Sequence, residues 1–139
     1  MATSESDFKA GFKRDLIEAY PSALIWTNSD MFRAGLPDLS VSREQAFYAI
    51  ELKFVGKLPK RGESKCLRHE VTPAQVEFLN KNIANGNYSC VLIGLKDVVA
   101  VMYECKQNYT LKEVLTATRV SRVKGRWVVD SFFETMGPR

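Results

Sequence analysis

The chain has 139 residues, of which 45% are hydrophobic and 26% charged, and its formal net charge is +4 at pH 7. This length fits one domain, and the apolar content, with eight Phe, five Tyr and two Trp, excludes wholesale disorder. No apolar run reaches the length of a membrane span and the N-terminus has no signal-peptide core, so we expect an intracellular, cytoplasmic protein without a membrane partner.

The first third of the chain predicts a helix followed by a short strand. Phe8, Phe12 and Leu16 recur at helical spacing, and Pro21 ends the pattern. Residues 23–27 are apolar and predict a buried strand. A polar loop then leads to Gly35.

Residues 38–53 predict a β-hairpin, because two apolar runs flank the polar connector at residues 42–45. With the turn centred between residues 44 and 45, the predicted pairs are Leu39 with Ile50, Val41 with Tyr48, and Asp38 with Glu51. Side chains alternate across a strand, so one face of the hairpin is wholly apolar and lies on the core. The opposite face carries Asp38, Ser40, Ala49, Glu51 and Lys53.

A loop at residues 55–71, rich in Gly, Pro and Lys, is long for a compact domain, and such loops are usually functional or mobile. Thr72 and Pro73 then predict the N-cap and first position of a helix that ends near Asn85 and Gly86. Two apolar runs, at residues 88–95 and 98–104, predict two further strands.

The C-terminal part predicts a short helix capped by Thr110, a closing hairpin with its turn at residues 124–125, and a terminal helical turn at residues 131–136. The whole chain, 1–139, reads as a single domain with a core at about 7–104 and a C-terminal elaboration at 105–139. The aromatic side chains of Trp26, Trp127, Phe132 and Phe133 are predicted to pack in the core.

Basic residues concentrate in two stretches, which makes both of them candidate nucleic-acid contacts, because Lys and Arg neutralise phosphates and release counterions. The alternative is a solvated loop and a charged edge strand. The first stretch emerges from the strand that carries Glu51, and its cations are Lys53, Lys57, Lys60, Arg61, Lys65 and Arg68. The second stretch holds Arg119, Arg122, Lys124 and Arg126.

Asp38 and Glu51 form a predicted acidic pair, and like charges directly opposed across strands destabilise a sheet. A divalent cation would cancel this repulsion, and Mg²⁺ prefers carboxylate oxygens and water as ligands. Lys53 points to the same side and would help to neutralise the pair. The alternative is an ordinary solvated Glu/Lys pair, since E-x-K alone is a common sequence.

The combination of a G-x-P-D sequence with a later E-x-K sequence is more specific than either sequence alone. Gly35-Leu36-Pro37-Asp38, followed thirteen residues after the Asp by Glu51-Leu52-Lys53, resembles the signature of the PD-(D/E)xK nuclease superfamily. Within it, the chain is most similar to VRR-NUC domains and to phage or archaeal Holliday-junction resolvases. The resemblance implies an α/β, restriction-endonuclease-like αβββαβ core with a mixed central sheet flanked by helices.

Carried over residue by residue, the resemblance implies a site for Mg²⁺, with Mn²⁺ as a substitute. The implied metal ligands are Asp38, Glu51 and the backbone carbonyl of Leu52, and the implied catalytic residues are Asp38, Glu51, Lys53 and Gln75. An additional acid from the first helix has four candidates, of which Glu18 is favoured over Glu5, Asp7 and Asp15. The candidate DNA contacts, which follow from the distribution of basic residues and not from the motif, are Arg33, Lys57, Lys60, Arg61, Lys65 and Arg68.

The expected function is a Mg²⁺-dependent endonuclease that hydrolyses DNA phosphodiester bonds. Selectivity for Holliday junctions, flaps or other branched DNA follows from the resemblance, as does a homodimer if the resolvase subfamily is the right one. A role in phage or repair and recombination metabolism, in the phage case within the host cytoplasm, would suit such a protein. The competing interpretation is a non-catalytic DNA-binding protein that retains the nuclease fold.

Overall fold

The structure, a computed structural model, describes residues 4–29 and 35–136. The predicted order of helix, three strands, helix and two strands is confirmed, and the C-terminal elements extend the same sheet. The elements are α1 (Glu5–Ala19), β1 (Leu24–Thr27), β2 (Leu39–Arg43), β3 (Ala46–Phe54), α2 (Pro73–Ala84), β4 (Tyr88–Gly94), β5 (Val98–Met102), α3 (Leu111–Thr116), β6 (Thr118–Val123), β7 (Arg126–Trp127) and α4 (Phe132–Met136).

The seven strands form one mixed sheet in which the spatial order of the strands equals their order in the sequence. Every neighbouring pair is antiparallel except β3 and β4, which are parallel. A parallel pair needs a crossover connection, and here residues 55–87 supply it with α2 inside. The strand β3 therefore lies in the interior of the sheet, with β2 on one side and β4 on the other.

The central hairpin has the predicted register, with Leu39 opposite Ile50 and Val41 opposite Tyr48. Glu44 and Gln45 at its turn have φ values of 49° and 65°, which is the left-handed pair of conformations that a two-residue type I′ turn requires. This turn fixes which side chains face which layer of the core.

The sheet is covered on both faces. On one face α1 packs Phe8, Phe12 and Leu16 against the apolar side of the hairpin, in a core that also contains Trp127, Phe132 and Phe133, as predicted. On the other face Leu79 of α2 packs on Ala49, Val91 and Ile93 of the central strands. Because α1 contacts both β3 and β7, the sheet curls around this helix.

The predicted core position of Trp26 is wrong. Its side chain is 40% exposed, and its ring lies 6.3 Å from that of Phe47. The reason is that β1 is the edge strand and α2 packs on β3 and β4, so nothing covers this part of the sheet among the described residues.

The long loop at residues 55–71, which we call the basic loop, is held by the segment that precedes α3. The backbone N–H groups of Cys66 and Val71 donate to the carbonyls of Tyr109 and Gln107, each at 2.9 Å. The side chain of Asn108 accepts from the N–H of Leu67 and donates to its carbonyl, both at 2.9 Å. The basic loop is thus an ordered platform despite its lack of helix or strand.

None of the helices in residues 4–29 and 35–136 is long and apolar enough to cross a membrane.

Gly35, which precedes β2, packs against the first turn of α2, and the stability cost of a side chain at this position can be tested. Its φ is +89°, and a Cβ atom there would lie 2.6 Å from the backbone carbonyl oxygen of Ala74. We predict that Gly35→Ala lowers the free energy of unfolding by more than the ~1–2 kcal/mol that a left-handed conformation costs a residue with a Cβ. Urea unfolding at 25 °C measures this difference.

Gly86→Ala is the matched control, because Gly86 has a φ of +87° and nothing within 4 Å of the added Cβ. An equal loss of stability in the two variants would show that the contact with Ala74 is unimportant.

Candidate active site

The two carboxylates of the acidic pair lie where the antiparallel ladder of β2 and β3 ends. The N–H of Asp38 donates to Oε1 of Glu51 at 3.1 Å, and the N–H of Leu52 donates to Oδ2 of Asp38 at 2.9 Å. Each acid therefore accepts a hydrogen bond from the backbone of the opposite strand. This exchange brings Asp38 and Glu51 to one end of the sheet and fixes their orientation.

Asn28, just after β1, holds the backbone on which Asp38 is mounted. Its N–H donates to the carbonyl of Asp38 at 3.0 Å, and its side-chain amide donates to the carbonyl of Pro37 at 2.9 Å. The same amide also donates to the hydroxyl of Ser40 at 2.7 Å. The residues on both sides of Asp38 are thus fixed by one neighbouring side chain.

Glu51 is only 1% exposed, in the layer between the sheet and α2. Burial, followed by repulsion from Asp38, raises the pKa of Glu51 to about 8, although attraction to Lys53 and Lys9 opposes the rise. Burial and the neighbouring acid both disfavour the charged form of the Glu51 carboxyl group. The environment of the acidic pair is therefore one that a further cation would stabilise.

Two lysines approach the acidic pair from different elements. Nζ of Lys53 lies 4.0 Å from Oε2 of Glu51, and the Lys53 side chain is 12% exposed. Nζ of Lys9, on α1, donates to Oδ1 of Asp38 at 3.1 Å and lies 3.5 Å from Oε2 of Glu5. Partial burial acts to lower the pKa of Lys9, but the attraction and hydrogen bond of Asp38 outweigh this and raise it.

Gln75 joins the site from the first turn of α2. Its Nε2 donates to Oε2 of Glu51 at 3.1 Å, while its Oε1 accepts from the N–H of Thr72 at 2.9 Å in a capping box. Because the helix cap fixes the amide orientation, Gln75 presents a donor to the buried carboxylate. The structure thus brings Asp38, Glu51, Lys53 and Gln75 together.

The structure does not bring Glu18 to the acidic pair. Glu18 forms an ion pair with Arg126, as does Asp15, and it lies nine residues along α1 from Lys9, or about 13–14 Å at the helical rise. Glu5, at the N-terminal end of α1, is connected to the site through its contact with Lys9. Sequence position alone predicts Glu18, because it does not show that the N-terminal end of α1 faces the site.

The predicted DNA contacts of the basic loop, Lys57, Lys60, Arg61, Lys65 and Arg68, are all exposed. Arg33 lies outside the described residues. The basic loop begins directly after β3, so its cations follow the strand that carries Glu51 and Lys53.

The donor set fits a hard divalent cation with few protein ligands. Asp38 and Glu51 would supply carboxylate oxygens to such an ion, and Leu52, between Glu51 and Lys53, would supply its backbone carbonyl. Within residues 4–29 and 35–136, no group of three or more His, Cys, Asp or Glu side chains comes together to hold a metal ion. Such a site suits Mg²⁺, which commonly keeps several waters and binds through one or two carboxylates.

Sequence reasoning missed Lys9 and Asn28. The candidates that the sequence offers on α1 are all acids, whereas the residue that contacts the pair is Lys9, one turn after Glu5. The available signal was the spacing of Glu5, Lys9 and Lys13, which places them on one helix face beside the apolar stripe. Nothing in the local sequence identified Asn28, since its role depends on how β1 pairs with β2.

A scan against models of protein families finds no match, and neither does a search of curated proteins. Among solved structures, the chain is similar to the 1.6 Å structure of Archaeoglobus fulgidus Hjc, a Holliday junction resolvase from an archaeal hyperthermophile. The alignment has 18% identity and a TM-score of 0.48, and it covers 76% of this chain and 89% of that chain. This likeness is too weak to carry an argument about the site, which rests on the geometry above.

The raised pKa of Glu51 predicts a particular dependence of stability on pH. Between the ordinary value of 4.5 and about 8, the folded protein holds one proton more than the unfolded chain at this group. The contribution of Glu51 to the free energy of unfolding is therefore greatest below pH 4.5 and falls as the pH rises towards 8. We predict that Glu51→Gln makes the decline between pH 5 and 8 shallower, measured by urea unfolding in EDTA.

Glu77→Gln is the control, because the Glu77 side chain is 66% exposed and pairs with Lys81 on the surface of α2. It should retain the wild-type decline over this pH range. Identical declines in all three proteins would contradict the raised pKa of Glu51.

Proposed function

We propose that this protein is a Mg²⁺-dependent endonuclease that hydrolyses phosphodiester bonds in DNA, with Mn²⁺ able to replace Mg²⁺. The observation that carries the proposal is the acidic pair: two carboxylates locked face to face, one of them 1% exposed, with two lysines beside them. The superfamily motif in the sequence assigns this arrangement to nuclease chemistry. The exposed cations of the basic loop are placed to bind the DNA backbone.

In this proposal Asp38, Glu51 and the carbonyl of Leu52 hold the metal ion. The bound ion would supply electrostatic stabilisation for the negative charge that develops on the phosphate in the transition state. Gln75 keeps the Glu51 carboxylate in position through its hydrogen bond. Lys53 orients the attacking water and offsets charge at the phosphate, because its ammonium group is largely shielded from solvent and directed at the pair.

The proposal extends to the kind of DNA and to the assembly. The resemblance of the motif to junction resolvases favours branched substrates, such as four-way junctions or flaps, in phage or repair and recombination metabolism. It also favours a homodimer, which would place two sites on paired strands. The exposed Leu24 and Trp26 on the edge strand β1 form an apolar surface available for such an assembly.

The competing function is a DNA-binding protein without catalysis. The observation in its favour is the contact of Lys9 with Asp38 at 3.1 Å, since an ammonium group already neutralises one member of the acidic pair. The two functions differ in one result: the nuclease cuts DNA in Mg²⁺ and stops in EDTA, whereas the binder retards DNA in a gel and leaves it intact.

Asp38→Asn tests the nuclease. Asn retains a side-chain oxygen for the N–H of Leu52, which Ala would leave unpaired at a cost of about 1–3 kcal/mol. We predict a fall in Mg²⁺-dependent cleavage of more than ~100-fold, because groups that merely support metal ligands are already worth ~10–100-fold. Plasmid nicking and labelled duplex, flap and four-way-junction substrates measure the rates, and calorimetric titration measures Mg²⁺ binding without DNA.

Glu77→Gln serves again as the control and should cleave like the wild type. Wild-type cleavage that persists in EDTA, or an Asp38→Asn variant that retains both Mg²⁺ binding and full activity, would refute the proposed metal centre. Equal rates on linear duplex and branched substrates would refute the substrate preference alone.

Lys53→Met separates catalysis from DNA binding. We predict that the rate per bound complex falls by ~10²–10³-fold, the usual effect of removing one group that stabilises transition-state charge, while the affinity for DNA measured in Ca²⁺ changes little. Lys65→Met is the comparison, because this side chain is 73% exposed in the basic loop. It should weaken binding and leave the rate per bound complex unchanged.

The opposite result for Lys53→Met, weaker binding with an unchanged rate per bound complex, would mean that Lys53 only clamps a phosphate.

A further inference from the structure

A second set of cations lies at the same end of the sheet as the acidic pair. Because β3 and β4 are parallel and β4, β5 and β6 alternate in direction, the ends of β3, β4 and β6 meet at one edge of the sheet. Lys96 lies in the turn between β4 and β5, Arg122 near the end of β6, and Lys124 in the turn between β6 and β7. We call these three residues the hairpin arm.

Arg122 forms no ion pair with an acid in the described ranges 4–29 and 35–136, and its backbone N–H donates to the backbone carbonyl of Asp97 at 3.1 Å. Its guanidinium carbon lies 5.1 Å from the centre of the Trp127 ring. Its Nε and Nη1 atoms are buried and have no hydrogen-bond partner in the part of the chain that the structure describes. Because these two donors are enclosed, Arg122 contributes to the hairpin arm through the positive charge of its partly exposed side chain rather than through hydrogen bonds from Nε or Nη1.

The neighbouring Arg126 shows the contrast. It ion-pairs with Asp15 and Glu18 of α1, which satisfies its charge within the fold. Lys96 and Lys124 are exposed, and no ion pair is found for either of them within residues 4–29 and 35–136. The cations of the hairpin arm are therefore available to a ligand, whereas Arg126 is part of the structure.

The hairpin arm and the basic loop lie on opposite faces of the sheet. Trp127, under Arg122, belongs to the core on the α1 side, while Leu67 and Val71 of the basic loop belong to the core on the α2 side. The acidic pair lies at the ends of β2 and β3, where Gln75 contacts Glu51 from the α2 side and Lys9 contacts Asp38 from the α1 side. Four strand spacings of ~4.8 Å separate β2 from β6, and the strand registers put Arg122 five residues, or ~16 Å, beyond the level of Asp38, so the two residues lie ~25 Å apart along the sheet.

A span of this size corresponds to about seven nucleotide steps of 3.4 Å along a DNA strand. We propose that the hairpin arm binds backbone phosphates of a second DNA duplex segment, on the side of the acidic pair opposite to the basic loop; this inference rests on the proposed function. Two phosphate-binding surfaces on different faces suit branched DNA, in which duplexes leave the branch point in different directions.

The test measures DNA binding without cleavage, in the Asp38→Asn background, as a function of NaCl concentration. Lys124→Asn removes the charge and keeps the turn, because Asn tolerates the φ of 51° at this position. Lys81→Gln is the matched control, since Lys81 is 72% exposed and lies in the last turn of α2. Lys96→Gln with Lys124→Asn, and Arg122→Met, complete the set.

We expect each lost phosphate contact to reduce the slope of log K against log[NaCl] by about 0.9, so that the Lys96 and Lys124 double variant loses about 1.8. Affinity for a four-way junction should fall by at least about tenfold at low salt, and affinity for a single duplex of one arm length should fall less. Lys81→Gln should keep the parent slope. Thermal unfolding checks that the Arg122→Met variant is folded. If that variant does not fold, the double variant of Lys96 and Lys124 alone tests whether the hairpin arm binds DNA.

If the Asp38→Asn protein binds DNA in a salt-dependent way and the arm substitutions leave the slope unchanged, the hairpin arm does not bind DNA. The proposed nuclease function would be unaffected by this result. Equal losses on junction and single duplex would overturn the assignment to a second duplex. A parent without salt-dependent DNA binding would overturn both the hairpin arm and the proposed function.

Discussion

The exchange of hydrogen bonds between the acidic pair and the backbone is the constraint on which the rest of the site depends. Asp38 accepts from the N–H of Leu52, and Glu51 accepts from the N–H of Asp38. Two carboxylates that would otherwise repel each other are held together because each supplies an acceptor that the end of the strand ladder lacks. The backbone pairing of β2 and β3 thus continues for one more step through side chains.

This arrangement explains why elements on both sides of the sheet converge on one edge. α1 contributes Lys9 from one face, and α2 contributes Gln75 from the other. Their contributions are complementary, since Lys9 offsets the charge of Asp38 while Gln75 fixes the buried carboxylate of Glu51. The pKa of Glu51 is raised by burial first and by Asp38 second, and the attraction of Lys53 and Lys9 does not offset these two effects.

Much of the fold was predictable because it follows from local rules. The register of the central hairpin, the capping box of α2 and the turn at residues 124–125 are each specified by a few neighbouring residues. What could not be predicted depends on contacts between distant segments. Trp26 has the composition of a core residue, and only the position of β1 at the sheet edge makes it exposed.

The same distinction applies to the site. Asp38, Glu51 and Lys53 could be grouped from strand alternation, and Gln75 from a motif. The roles of Lys9 and Asn28 required the placement of α1 and β1 over the hairpin, and Glu18 could not be separated from Glu5 until the direction of α1 relative to the sheet was known.

The number of residues in the turn at Glu44 and Gln45 determines whether Asp38 and Glu51 lie opposite each other. Side chains alternate with a period of two, so the insertion or deletion of a single residue there would shift one strand by a step against the other and send one carboxylate of the pair to the α1 layer. Glu44 and Gln45 are both far along the strands from the acids, and their side chains take no part in the site. The number of residues in this turn is therefore fixed by the pairing of the acids, and their identity is limited to residues that adopt a positive φ.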